Sequence, residues 1–214
     1  MGRTQLSPKR LSETKRINIG KIIIFCEGKT EKYYFEYFSE IIKKNKYTDI
    51  EIVLESAKGN AQAVLNYADN FLAEEQNNQK YSNYGKYLVF DCDAPPNVQS
   101  VIQQSGVYKL LITNYLFETW LLMHFEDVYE KLSKRKIYSS LSKHLANSYS
   151  KGSKGKIREI IQNGNVEKAI DNAKTLEQFY KDKNKTVYSN IQDMNPYTSV
   201  YVLIEQFMVE ISAN

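Results

Sequence analysis

Four short apolar runs, KIIIFCEG (21–28), IEIVLES (50–56), KYLVFDCD (86–93) and YKLLIT (108–113), punctuate the first half of the chain, and the residues between the first three repeat at helical spacing. Runs of this length are strands. A strand apolar at nearly every position is one buried on both faces. Between the first two, KTEKYYFEYFSEIIKKNK (29–46) places Tyr34, Phe35, Phe38, Ile41 and Ile42 on one helical stripe, with Thr30 as its N-cap. Asn60 caps a second helix with Val64, Leu65, Ala68, Phe71 and Leu72 inward. EEQNNQKYSNYG (74–85) reads as a polar loop, and a short helix covers 98–104. The order βαβαβαβ predicts an α/β fold with a mostly parallel central sheet and helices on both faces.

The C-terminal part is patterned differently. LFETWLLMHFEDVYEKL (116–132), VEKAIDNAKTLEQFYKDKN (166–184) and SVYVLIEQFMVEI (199–211) read as helices. SYSKGSKGKIREIIQNG (148–164) is a Gly/Ser/Lys-rich loop leading into another. The expected organisation is a polar, flexible segment at 1–19, an α/β core at 20–125, and a helical part at 126–214 packed on that core. Twenty-nine basic residues against 25 acidic ones give a charge too balanced for a strongly basic nucleic-acid-binding domain. Cys26 and Cys92 each sit in an apolar run and read as buried free thiols. With no membrane-length apolar stretch and no apolar stretch of signal-peptide type, the expectation is a cytoplasmic protein with no membrane partner.

Acids mark the strand ends. Side chains two apart on a strand share a side, so an extended end to the third run brings Asp91 and Asp93 together. The first run ends in Glu27, followed by Gly28. Neighbouring parallel strands would set three carboxylates on one rim, where ligands of open α/β sheets bind. Like charges so clustered call for a cation, and Mg²⁺ or Mn²⁺ suits all-oxygen donors. Glu31 and Glu118 lie close in sequence to the same rim. Asp-X-Asp before Pro-Pro is also ordinary turn chemistry, and on these residues alone both readings stand.

A strand ending Glu-Gly, then a helix, then a later strand ending Asp-X-Asp, resembles the Toprim domain of topoisomerases, primases and nucleases. Four segments resemble more closely the RloB family, a Toprim-like family associated with bacterial restriction and phage-defence loci. They are FCEGKTEKYYFEYF (25–38), YLVFDCDAPPN (87–97), TNYLFETWLLMHF (113–125) and NPYTSVYVLIEQF (195–207). The resemblance implies a proton-transferring or metal-binding role for Glu27 and Mg²⁺ binding by Asp91 and Asp93. Thr30-Glu31 and Phe117-Glu118 match the family's Thr-Glu and Phe-Glu pairs. It also implies a Toprim-like metal-dependent nuclease acting on RNA, such as tRNA, or on DNA in anti-phage defence, with an ATPase encoded nearby as partner. Cys92 and Tyr115 depart from the family's pattern, where a basic residue and a proline are common, as does the short spacing from Glu-Gly to Thr-Glu. A nucleotidyl or phosphoryl transferase shares the same metal chemistry. A non-catalytic sensor or adaptor is the third reading.

Other residues carry weaker signals. Lys29 and Lys32 flank a helix start where phosphate binds. KGSKGK (151–156) lacks phosphate-loop spacing and reads as a mobile basic loop whose Lys151, Lys154 and Lys156 track a nucleic-acid backbone. His124 and His144 lack a partner in sequence and read as structural. Trp120 and the aromatic residues of the first helix read as core.

Overall fold

A computed structural model describes residues 19–42, 44, 47–54, 60–93 and 95–212. Except at Ile19, the expectation for the first nineteen residues falls outside the described residues, as do those for 43, 45–46 and 55–56. The core is a sheet of β1 (Lys21–Cys26), β2 (Asp49–Leu54), β3 (Gly85–Asp91), β4 (Lys109–Asn114) and β5 (Tyr197–Thr198), in the order β2-β1-β3-β4-β5. The first four are mutually parallel; β5 runs antiparallel against the end of β4. This is the expected Toprim-like α/β architecture.

Helix α1 (Lys29–Ile41) links β1 to β2, and α2 (Ala61–Ala73) with α3 (Glu75–Tyr81) links β2 to β3. Because β2 and β3 lie on opposite sides of β1, right-handed crossovers put α1 and α2 on opposite faces. On one face Phe25 packs edge-on against Tyr67 and Phe71 of α2. Further along lie α4 (Pro95–Gln104), α5 (Phe117–Leu122), α6 (Lys134–Lys143), α7 (Lys154–Asn163), α8 (Val166–Asp182), the single turn α9 (Val187–Asn190) and α10 (Tyr201–Ser212). On the other face Tyr34 of α1 meets Phe117 and Trp120 of α5, and Phe35 meets Phe207 of α10. Residues after 125 thus bring helices and also the strand β5 that closes the β4 edge.

Several sequence expectations need correction. Residues 75–81 are helical rather than loop: a polar helix with only Tyr81 buried has no apolar stripe to betray it. The helix read over 116–132 spans only 117–122. Its continuation is unwound because distant groups take the carbonyls a helix would use. Asn165 N–H donates to His124 O at 2.9 Å, Asn172 Nδ2 to Met123 O at 3.2 Å, and Lys168 Nζ to Phe125 O at 3.0 Å. Asn60 does cap α2, accepting from the amides of Gln62 and Ala63. Thr30 does not cap α1; Gly28 holds that position, and Ile41 is exposed rather than inward. The third strand stops at Asp91; the Cys92 amide still donates to Thr113 O at 2.8 Å, and the chain bends at Asp93.

Candidate active site

In a parallel sheet of order 2-1-3-4 the connections leave in opposite directions on either side of the gap between β1 and β3. That gap, at the carboxyl ends of the strands, is where ligands bind. Glu27 and Asp91 flank it. The Glu27 amide donates to Val89 O at 3.1 Å, continuing the ladder one residue past β1, and Glu27 Oε2 accepts from the Asp91 amide at 3.1 Å. Asp91 Oδ1 accepts from the Phe117 amide at 2.7 Å, so this strand-end carboxylate covers the start of α5, whose own N-cap Leu116 has no side-chain oxygen to offer.

Two further acids close in from the helices. Glu31 stands in the first turn of α1 and Glu118 in the first turn of α5, and both are buried. Gly28 makes room for Glu31: a Cβ there would lie 2.6 Å from Glu31 Oε2. Glu118 Oε1 accepts from Tyr149 Oη at 2.9 Å. The outer oxygens of both glutamates, Glu31 Oε2 and Glu118 Oε2, are buried with no hydrogen-bond partner. Native proteins rarely leave such groups unsatisfied.

The positive charge comes from the loop before α7. Lys151 Nζ lies 3.8 Å from Asp91 Oδ2 and 4.0 Å from Glu118 Oε2. The next residue, Gly152, at φ +71, donates its amide to Thr30 Oγ1 at 3.0 Å, pinning the loop to the start of α1. Burial pushes Glu27 up from 4.5 to about 7, the Asp91 amide opposing and the charges of Glu31 and Asp93 adding. Burial likewise lifts Glu31 to about 7 and, with the charge of Glu31, raises Asp91 well above the carboxylate range. Partial burial alone would lower Lys151; the charges of Glu118, Asp91 and Glu31 outweigh it and hold its pKa above the ordinary lysine value.

The structure thus brings Glu27, Glu31, Asp91 and Glu118 together around Lys151. Asp93 stands apart: it is exposed and lines a neighbouring cleft, although its charge reaches Glu27. Lys151 is turned into the acids rather than tracking outward. Lys32 pairs with Glu36 at 3.6 Å, Lys154 with Glu40 at 3.1 Å and Lys156 with Glu159 at 2.8 Å; Lys29 makes no ion pair among the described residues. His124 is buried between Tyr34 Oη at 3.0 Å and Trp120 O at 3.1 Å, and burial lowers its pKa to about 4. It is a neutral core imidazole. His144 stacks on Phe125 and meets Glu126 at 2.8 Å. Cys26 and Cys92 are free, buried thiols.

Tyr149 and the inward turn of Lys151 were not foreseen. The only hint was glycine at 152, which permits the left-handed turn that aims the loop.

Among the described residues no three His, Cys, Asp or Glu side chains converge closely enough to form a ready metal cage. The donor chemistry fits a hard divalent cation all the same. All four inner acids are oxygen donors, and two of their oxygens are buried and orphaned, Glu118 Oε2 with Lys151 at 4.0 Å, beyond hydrogen-bonding distance.

A family model described as RloB-like protein matches residues 22–207, which takes in the five strands but for Lys21 at the start of β1, and every acid of this rim. The chain belongs to the RloB-like family. Within this RloB-like chain the matched span also includes Tyr149, Lys151 and β5, so the pinned loop lies inside the family region rather than in an appendage. No curated protein and no solved structure matches the chain. No helix among the described residues is long and apolar enough to cross a membrane.

Proposed function

We propose that this RloB-like protein is a metal-dependent nuclease that cleaves phosphodiester bonds of RNA or DNA, acting in anti-phage defence with an ATPase partner. The observation that supports it most is the pair of buried, unpartnered glutamate oxygens at the β1/β3 crevice, Glu31 Oε2 and Glu118 Oε2, the second of them 4.0 Å from Lys151. Buried carboxylate oxygens without partners are a cost to the fold, and such costs persist at working sites. Asp91 would hold Mg²⁺ or Mn²⁺, with Glu27, Glu31 and Glu118 as further oxygen donors; Asp93, exposed at the border with the neighbouring cleft, would join them by turning inward. A bound divalent cation supplies Lewis acidity at the phosphoryl group.

The chain's own groups supply the rest. Glu27, with a pKa of about 7, is matched to accepting and returning a proton near neutral pH. Lys151, on a pinned loop, is positioned to meet a phosphate oxygen as it leaves the acids. Tyr149 fixes one oxygen of Glu118 and so fixes the direction of the other.

Labelled tRNA, single-stranded RNA and DNA, incubated with Mg²⁺ or Mn²⁺ and with chelator, test this directly. Glu27→Gln is nearly isosteric and is expected to keep its melting temperature while slowing cleavage by about 10²–10⁴-fold. A folded Glu27→Gln variant as fast as wild type would refute the assignment. Wild-type protein inert on every nucleic acid would move the reading to a transferase or adaptor.

A further inference from the structure

Beside the acid rim, on the β4 side, lies an open cleft of about 520 Å³. That is within the roughly 300–1,000 Å³ that pockets use to bury one small ligand. A groove of similar size, about 570 Å³, runs between α8 and α10 and is lined by none of the rim acids. The cleft of interest sits at the ends of β3 and β4, with the start of α6 forming its far wall. Asp93 belongs to its lining and also acts electrostatically on Glu27, so cleft and rim share a border.

Three features of the lining point to one kind of occupant. Lys131 and Lys134 are exposed and have no carboxylate partner among the described residues, in contrast to Lys151, Lys154 and Lys156. They open the run Lys131-Leu-Ser-Lys134-Arg135-Lys136, four cations in six residues with no acid between them. Tyr115 is half-buried and offers a ring in the cleft wall. Gln192 and Asn195 line the same space, and their side-chain amides have no hydrogen-bond partner among the described residues; the segment is held there as Asn114 Nδ2 donates to Ile191 O at 2.6 Å. Cations without a carboxylate partner (Lys134 lies 5.6 Å from the centre of the Tyr138 ring), an aromatic face and spare amides match phosphates, a base plane and base edges respectively.

We propose that this cleft seats one nucleotide of a single strand beside the scissile phosphate, the base against Tyr115 and the flanking phosphates along Lys131 and Lys134. This rests on the nuclease reading and deepens it. It is a single-strand seat because stacking on a side chain in a wall requires an unstacked base.

Binding, not cleavage, tests it. Fluorescence anisotropy of labelled single-stranded RNA and DNA is measured across a salt series, with Ca²⁺ and with chelator. Lys131→Gln with Lys134→Gln should weaken binding at least tenfold more than the charge-matched control Lys181→Gln with Lys183→Gln. The slope of log affinity against log salt should fall by about 1.4, the value for two lost phosphates on a single strand. Tyr115→Ala should cost on the order of tenfold, and Tyr115→Phe little. If wild type binds but the cleft pair weakens it no more than the control pair, the cleft is not the seat. Unchanged affinity in Tyr115→Ala removes the base from the proposal. Wild type that binds neither strand in either condition overturns the nucleic-acid reading itself and the seat with it.

Discussion

Two lysines three residues apart meet acids in opposite surroundings. Lys154 reaches Glu40 at 3.1 Å and Glu36 at 3.5 Å, and nearby Arg158 reaches Glu40 at 2.7 Å. All are close contacts between partly exposed groups. Lys151 comes no nearer than 3.8 Å to any carboxylate oxygen it faces, yet those carboxylates are almost wholly buried. The shorter contacts are the less consequential ones. Water screens the outer set, and such pairs contribute little to stability. In the inner set the medium is poorer, the acids cannot turn to solvent, and two oxygens remain unmatched. The outer cluster is chemically finished. The inner one is not, and an unfinished polar cluster is the one that can accept something else.

The contrast can be broken most decisively with metal. Mg²⁺ or Mn²⁺ at about 100 times its Kd should stabilise the folded protein by about 2.7 kcal/mol. For a chain of this size that is a rise of about 5–10 °C in melting temperature. Asp91→Asn with Asp93→Asn should abolish the rise, and Lys154→Met with Arg158→Met should leave it intact. An equal rise in both double variants would mean that the cation binds elsewhere.

A smaller effect separates the two lysines in chelator. Lys151→Met leaves buried acids without their counter-charge. Removing one partner of a fully buried pair costs about 3–5 kcal/mol, but Lys151 is 43 % exposed, which reduces the expectation to about 1–2 kcal/mol. Lys154→Met should barely register. Added Mg²⁺ should restore more stability to Lys151→Met than it adds to wild type. Equal losses at 151 and 154 in urea melts would erase the distinction drawn here.

The third effect, and the one that takes a difference between two profiles to read, is a pH signature. The folded pKa of Glu31 is about 7 against 4.5 ordinarily, so the folded state keeps a proton the unfolded state has lost. Its stabilising contribution is fully present below about pH 4.5 and is lost as pH rises to about 7. His124 works the other way: with its pKa lowered from 6.5 to about 4, its contribution is present above 6.5 and lost as pH falls through 4. A single wild-type profile mixes the two. The difference between Glu31→Gln and wild type, in chelator, isolates the carboxyl, and the variant should gain on wild type from pH 4.5 to 7. A constant offset across that window would mean that Glu31 is not held in the protonated range.

Much of this was legible in the sequence because it depends on local pattern and strand order. Apolar runs located β1 to β4, and alternation with helices implied that they are parallel; that Glu27 and Asp91 share a rim was conditional on β1 and β3 being neighbours, and the strand order makes them so. What the sequence hid was set by distant partners. Phe125 and His124 look helical until Lys168 and Asn165 take their carbonyls. Thr30 has the chemistry of a cap, but its hydroxyl is engaged by Gly152 from far along the chain. Asp91 and Asp93 alternate as if extended, but β3 ends at the first of them, and only one is buried. Lys151 sits in a run that reads as loose and basic. Nothing in its neighbours says that it folds inward, because the acids that draw it come from three other segments.

That dispersal bears on how the molecule is made. Synthesis runs from the N-terminus, so the ribosome releases the residues of the acid rim in order: Glu27 and Glu31, then Asp91, then Glu118. Tyr149, Lys151 and Gly152, which lock and neutralise the rim, follow only after α6. β5, which seals the sheet edge beside it, comes later still. A nascent chain of intermediate length therefore holds a half-assembled, uncompensated pole of negative charge beside an open strand edge. The corresponding fragments should be poorly folded on their own, and the crevice between β1 and β3 takes its final form only once residues 149–152 and β5 have been made.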